Sequence, residues 1–334
     1  MGQGSLIPIS ESASSEEVDP INILPIMTIE GPRNITSCTE TNNKKELLVA
    51  TSTGDIILYC LEEKKELKKW KQNERITNIT FCKEENEFFT SYFKIEEEDE
   101  KYRGALKSNL STFLEICSIK KLKGKQSGEG VLRWNFESTK PELEIPGRFP
   151  FILYHSGKLL VQTKHGIIGE YTTGKFKKHI EGKISRYLIL ANFGRNLIGV
   201  SAGSSDLYLW DEKKKAKHLF DGDGSEEIIK CLCGVNENII SFSIDHTLYF
   251  CEYPSLKLRS FDAHQKHIIS IACISDLFLV TIDEIGLIKF WEVDSIVKIF
   301  EMKKQDTSFQ ALKQKKMMGE KKSDSIMESI ELPE

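Results

Sequence analysis

Short apolar stretches of five to eight residues, set apart by clusters of Gly, Asn, Asp, Ser or Lys and Glu, run through most of the chain. ELLVAT (46–51), DIILYC (55–60), ITNITFC (76–82), KLLVQT (158–163), NLIGVS (196–201), ENIISFS (237–243) and LFLVTI (277–282) are examples. Stretches this short and this rich in Ile, Val, Thr and aromatics predict strands, because such side chains suit a pleated, half-buried surface. No amphipathic helical pattern of comparable standing occurs between 30 and 300. An all-β sandwich, barrel or propeller is therefore expected.

An internal repeat selects among these. An apolar strand ending in Ser or Thr, a tight turn, and a strand ending in an aromatic or its substitute recur along the chain. The pattern appears as VATSTGDIILY ending at Tyr59, VQTKHGIIGEY ending at Tyr171 and SFSIDHTLYFC ending at Cys251, and in variant lengths around Trp210 and Trp291. Positions 171, 210, 251 and 291 are separated by 39, 41 and 40 residues. A period of about forty with four strands per unit is that of propeller blades.

These residues carry a resemblance to the WD-repeat family, whose blades end in Trp-Asp after a turn of the Ser-x-Asp-Gly-Thr type. Trp210-Asp211 is such a dipeptide and Trp291-Glu292 a variant of it. Ser241, Ser243, Asp245 and Thr247 match the turn pattern, with Cys251 in the Trp place, and Ala263-His264 stands where Gly-His opens a blade. The resemblance implies one β-propeller over 21–301, with His264 hydrogen-bonded to a strand Ser or Thr. No blade shows the complete His, Ser/Thr, Asp and Trp set in sequence, and Ile285 occupies the Asp place of the last blade.

Six blades are visible, at 34–70, 73–145, 149–180, 184–220, 226–261 and 264–300, and a seventh is left open. The second span is too long. Its excess is assigned to a charged insertion, KIEEEDEKYRGALKSN (94–109), followed by strands at STFLEIC (111–117) and GVLRWNF (130–136). The run INILPIMTIE (21–30) suits a strand that closes the ring and leaves no open sheet edge. Residues 1–20 are expected to be disordered and 302–334 to form a flexible polar tail.

Composition adds limits. The 334 residues are 40% hydrophobic and 29% charged, which is globular, and 46 Lys and Arg against 50 Asp and Glu give a net charge of −4. Bulk charge thus gives no reason to expect direct nucleic-acid binding. The eight cysteines sit mostly inside apolar runs and read as free core thiols. No secretory leader and no membrane span is read from the sequence, so a cytoplasmic or nuclear place is expected. Gly2 is not expected to be myristoylated, since Leu6 stands where that signal needs Ser or Thr.

Catalytic motifs are missing: there is no G-x-S-x-G, no Walker loop and no H-E-x-x-H. DGDGSEEI (221–228) reads as a turn between blades. His264 and His267 lack partners spaced for a metal, and no cofactor is expected. Lysine pairs such as Lys68-Lys69 read as solvated strand edges. The expected function is a non-enzymatic scaffold that binds other proteins within a larger complex. The alternative is a non-catalytic subunit assisting an RNA-modifying or RNA-processing enzyme.

Overall fold

The computed structural model describes residues 23–93, 129–146, 151–162, 168–172, 175–180, 188–201, 206–211, 216–220 and 228–301. Strand β1 (Met27–Glu30) comes first and belongs to the last sheet. Blade 1 is β2 to β5 (Ile35–Glu40, Glu46–Thr51, Asp55–Cys60, Lys65–Lys71), and blade 2 is β6 to β9 (Arg75–Cys82, Glu87–Phe93, Glu129–Asn135, Leu143–Pro146). Blade 3 is β10 to β13 (Phe151–His155, Lys158–Gln162, Ile168–Thr172, Lys175–Ile180), and blade 4 is β14 to β17 (Leu188–Phe193, Asn196–Ser201, Leu207–Trp210, Ala216–Phe220). Blade 5 is β18 to β21 (Ile229–Gly234, Ile239–Ile244, Thr247–Glu252, Lys257–Asp262). Blade 6 is β22 to β24 (Ile268–Ile274, Phe278–Asp283, Leu287–Glu292), completed by β1.

Among the described residues there are thus six four-stranded antiparallel sheets: five are meanders whose first strand faces the centre, and in the sixth β22 faces the centre and β1 forms the outer edge. Tyr59 to Trp134 spans one blade boundary only, because Phe93 pairs directly with Glu129. The stretch expected as GVLRWNF is β8. The insertion at 94–109 and the strand expected at 111–117 lie outside the described residues, as do 1–20 and 302–334.

The closing strand is shorter than 21–30. Met27, Thr28, Ile29 and Glu30 pair with Phe290, Lys289, Ile288 and Leu287. Upstream of them Leu24 and Ile26 are exposed, while Ile23 packs into the core between blades 5 and 6. A helix, α1, occupies 293–301 directly after β24. Val293, Ile296 and Phe300 are buried in that same core, at the i, i+3, i+7 spacing that puts them on one face.

Alternation along each strand sends one set of side chains to the preceding blade and the other to the following one. Between blades 6 and 1, for example, Val280 and Phe290 meet Val49 and Tyr59, all buried. Two glycines have a specific task in this packing. Gly54 and Gly286 occupy equivalent turns, with φ of 87° and 91°. A Cβ there would lie 2.2 Å from Gln72 O or 2.4 Å from Pro32 O, where the incoming chain crosses.

The inner strands carry a second repeat. Blades 1, 2, 5 and 6 each have a register shift just after a buried isoleucine, between Ile35/Ser37, Ile76/Asn78, Ile229/Cys231 and Ile268/Ser270. Such a bulge bends the strand and re-aims the following side chain. All four of those side chains meet a polar neighbour. Asn78 Nδ2 donates to Ser37 Oγ (3.2 Å), Ser270 Oγ accepts from Cys38 N (3.2 Å), and Cys231 Sγ lies 2.7 Å from Ser243 Oγ. The first two contacts stitch one inner strand to the next blade.

Candidate functional site: a buried polar relay and the channel mouth

Blade 6 holds the hydrogen-bonding set that its sequence did not show. Trp291 Nε1–H has a donor only, so Thr281 Oγ1 (2.8 Å) accepts from it. The Thr281 hydroxyl then donates to His264 Nε2 (2.7 Å), and His264 Nδ1–H donates to Asp283 Oδ2 (3.0 Å). Asp283 Oδ1 accepts from the backbone N–H of Ile285 (3.2 Å) and Leu287 (2.9 Å). Ile285 does stand in the turn position, exposed; the carboxylate comes from two residues earlier. This corrects the expectation that no blade is complete. Burial holds His264 below its ordinary range, to about 4, against the raising effect of Asp283. A neutral ring is what the relay needs, since Nε2 must accept.

A Thr–His–Asp chain with these distances also has the shape of a nucleophilic triad. Its surroundings suit packing. Thr281 and Asp283 are 0% and 1% exposed, and the indole N–H already occupies the hydroxyl. No substrate atom can reach Thr281 without dismantling the blade.

Blade 2 contains a variant of the relay. Trp134 Nε1 donates to Thr90 Oγ1 (3.0 Å), whose hydroxyl donates to Gln72 Oε1 (3.0 Å). Gln72 stands four residues before Ile76, as His264 stands four before Ile268, and this equivalence was legible in the chain.

The other anchor positions depart from the relay, each for a visible reason. Tyr59 fills the Trp place in blade 1, but its hydroxyl points outward to Glu66 Oε1 (3.5 Å), and Val49 stands in the Thr place. Tyr171 is half-buried opposite Leu159. Trp210 is buried, but its Nε1–H has no partner among the described residues. The Thr place is Gly199, and the indole leans over it: a Cβ at Gly199 would lie 2.8 Å from Trp210 Cζ3. Asp211 beside it is exposed.

Blade 5, the best match in sequence, is out of register with the relay. Cys251 pairs with Ile240 and Ser241 with Phe250, so Ser241 faces the opposite side from Cys251 and donates to Tyr249 O (3.2 Å). Asp245 is a turn residue with φ of 51°, in a two-residue hairpin turn with His246. The shorter turn shifts the pairing by one residue, and a slip of one reverses every side chain.

At the centre of the ring the inner strands enclose a cavity of about 670 Å³. At the end formed by the turns after the inner strands, it is ringed by Glu40, Lys83, Glu84, His155, Glu237 and Asp276. Lys83 is held by Glu40 at 2.5 Å, and Glu40 also accepts from Ser275 N (3.0 Å). Four thiols, Cys38, Cys231, Cys233 and Cys273, line the wall between blades 5, 6 and 1. Burial pushes Cys38, Cys231 and Cys273 up to about 12, and Cys233 higher than its ordinary range. They are therefore protonated, weakly nucleophilic wall residues. Among the described residues no three His, Cys, Asp or Glu are grouped to hold a metal ion, and no helix is long and apolar enough to cross a membrane.

No family model and no curated protein matches the sequence. Solved structures do match the fold. The Cps50 (Swd1) β-propeller domain of Myceliophteria thermophila is 14% identical with a TM-score of 0.50, covering 78% of this chain and 83% of that one. A chain of the mitotic checkpoint complex is 10% identical with a TM-score of 0.52, covering 88% and 99%. At such identities the likeness concerns architecture alone.

Proposed function

We propose, on the premise that this chain is a six-bladed propeller of the WD-repeat type, that it is a non-enzymatic scaffold holding other proteins in a larger assembly. The observation that carries this reading is where its polar chemistry is used. The one His-centred relay among the described residues is sealed inside blade 6, and the thiols of the channel wall are protonated. What the rigid ring offers is surface: turns around the channel at both ends, and one large departure from the repeat. That departure is 94–128, which connects β7 to β8 between the paired residues Phe93 and Glu129. A frame that fixes both ends of a long connection is a common way to present a binding element. Of the two solved structures compared above, one is a β-propeller domain and the other a chain of a complex.

The test is the size of the native assembly. In extract of the source cells, the chain should migrate well above its 38.1 kDa mass together with defined partners. Replacing 94–128 by an Asn-Gly turn should leave the melting temperature within a few degrees and release at least one partner. Migration as a bare monomer, with nothing co-purifying, refutes the scaffold reading.

A further inference from the structure

Seven large apolar side chains are exposed among the described residues, and three of them, Leu24 (75%), Ile26 (55%) and Leu277 (46%), gather at one corner of blade 6. The corner is the end of its sheet where α1 begins. Ile26 N donates to Phe290 O (2.9 Å), which carries the β1–β24 pairing one residue further and brings Leu24 past the end of β24. From the other side Val293 N, at the start of α1, donates to Leu277 O (3.0 Å) in the β22–β23 turn. Leu24 and Ile26 thus follow the outer edge of the sheet and Leu277 stands at its inner turn, with the root of α1 between them. Ile23, beside Leu24, packs into the core that Val293, Ile296 and Phe300 fill. The patch lies outside the channel, since none of the three exposed side chains lines the cavity. Exposed carboxylates at Asp276, Glu292 and Asp294 flank it.

The chain itself supplies a segment of matching chemistry at this place. Residues 302–318 carry five lysines against one aspartate, and Phe309 and Leu312 stand three residues apart. The segment starts where α1 ends, one short helix or roughly 13 Å from the root of the patch. Phe309 is eight residues beyond Glu301, a reach of up to roughly 26–29 Å, so it can return along α1 to the corner. We propose that residues 302–318 dock on this corner of their own ring, Phe309 and Leu312 covering Leu24, Ile26 and Leu277 while the lysines face the flanking carboxylates. Apolar burial holds the contact and the charges orient it. Tethering at Glu301 supplies an effective concentration on the order of millimolar. The docked segment is a cover that a partner bearing the same apolar and basic side chains displaces. It does not depend on the scaffold reading.

The probe is a fluorescein-labelled peptide of residues 302–318, titrated with purified full-length protein and followed by anisotropy. Two proteins are compared, the parent and Phe309→Ser/Leu312→Ser, whose own segment can no longer cover the corner. The double variant should bind the peptide, and the parent about tenfold more weakly or less still, because its tethered segment competes. Adding Leu24→Ser/Leu277→Ser to the double variant should weaken binding by about tenfold or more. Its melting temperature should stay within a few degrees, since both leucines are exposed. Adding Leu67→Ser/Leu143→Ser instead, at exposed leucines elsewhere in the ring, should change nothing. The same peptide carrying Phe309→Ser/Leu312→Ser keeps all five lysines and should not bind, which separates apolar docking from attraction by charge alone. Equal binding by parent and double variant would leave the corner open to a foreign partner and overturns the proposal. So does a double variant that does not bind, indifference to Leu24→Ser/Leu277→Ser, or binding of the substituted peptide. Sedimentation of the parent should give the monomer mass at every concentration. A dimer abolished by Phe309→Ser/Leu312→Ser would seat the segment on a second copy and overturn the contact within one chain.

Discussion

Thr281 makes two hydrogen bonds with one hydroxyl, accepting from Trp291 and donating to His264. Thr281→Val keeps its shape and strands both partners, so a loss of about 2–4 kcal/mol is expected from denaturant unfolding. A paired comparison sharpens this. Trp291→Phe removes a made hydrogen bond, whereas Trp210→Phe removes an indole N–H that has no partner among the described residues. Trp210→Phe should therefore cost about 1 kcal/mol less than Trp291→Phe. Equal costs would mean the relay contributes nothing beyond burial. His264 gives the relay a pH dependence with a definite sign. Its folded value near 4 lies below the ordinary 6.5. Between those values the unfolded chain takes up a proton that the folded one excludes, so this contribution is complete above about pH 6.5 and is lost as pH falls toward 4. Gln72 already does the same acceptor work in blade 2. His264→Gln should accordingly fold and flatten the slope of stability against pH across that window. An unchanged slope would show that His264 does not titrate there.

Strand identity was legible because apolar runs of the right length and period leave little choice, and the forty-residue spacing then selects a propeller. Register was not legible. Blade 5 matched the family pattern best by residue type, yet its two-residue turn at Asp245 and His246 places Ser241 on the wrong face. Asp283 was missed because position alone pointed to Ile285, and a side chain two residues earlier can reach the same ring. Helix α1 was missed because Val293 continues the apolar run of β24, which hides the switch from a period of two to one near 3.6. Its buried residues argue for a role in stability. A chain ending after Glu292 should melt well below one ending after Met302, since Ile296 and Phe300 leave the core with it. A chain beginning at Gly31 should likewise be destabilised or insoluble, because β24 would present an open edge. Equal melting of either truncation with the parent would remove that element from the account.

Around the whole ring, stability should be uneven. Blades 2 and 6 are pinned by Trp134–Thr90–Gln72 and Trp291–Thr281–His264–Asp283. Blade 4 puts Gly199 where those blades put threonine, and blade 5 puts Phe242 there. Amide hydrogen exchange should thus be slowest in β7, β8, β23 and β24 and faster in β15 and β16; the reverse order would show that the relay is not where the ring is strongest. The closing pair has a mechanical side as well. Met27 lies opposite Phe290, two residues before β24 ends at Glu292, so the chain enters β1 and leaves β24 from the same end of the pair. A load pulling the two exits apart meets the four-residue pairing one rung at a time, as a zipper does, and never in shear along its length. Under tension the ring should open at this seam first, at low force, with the other five sheets still intact.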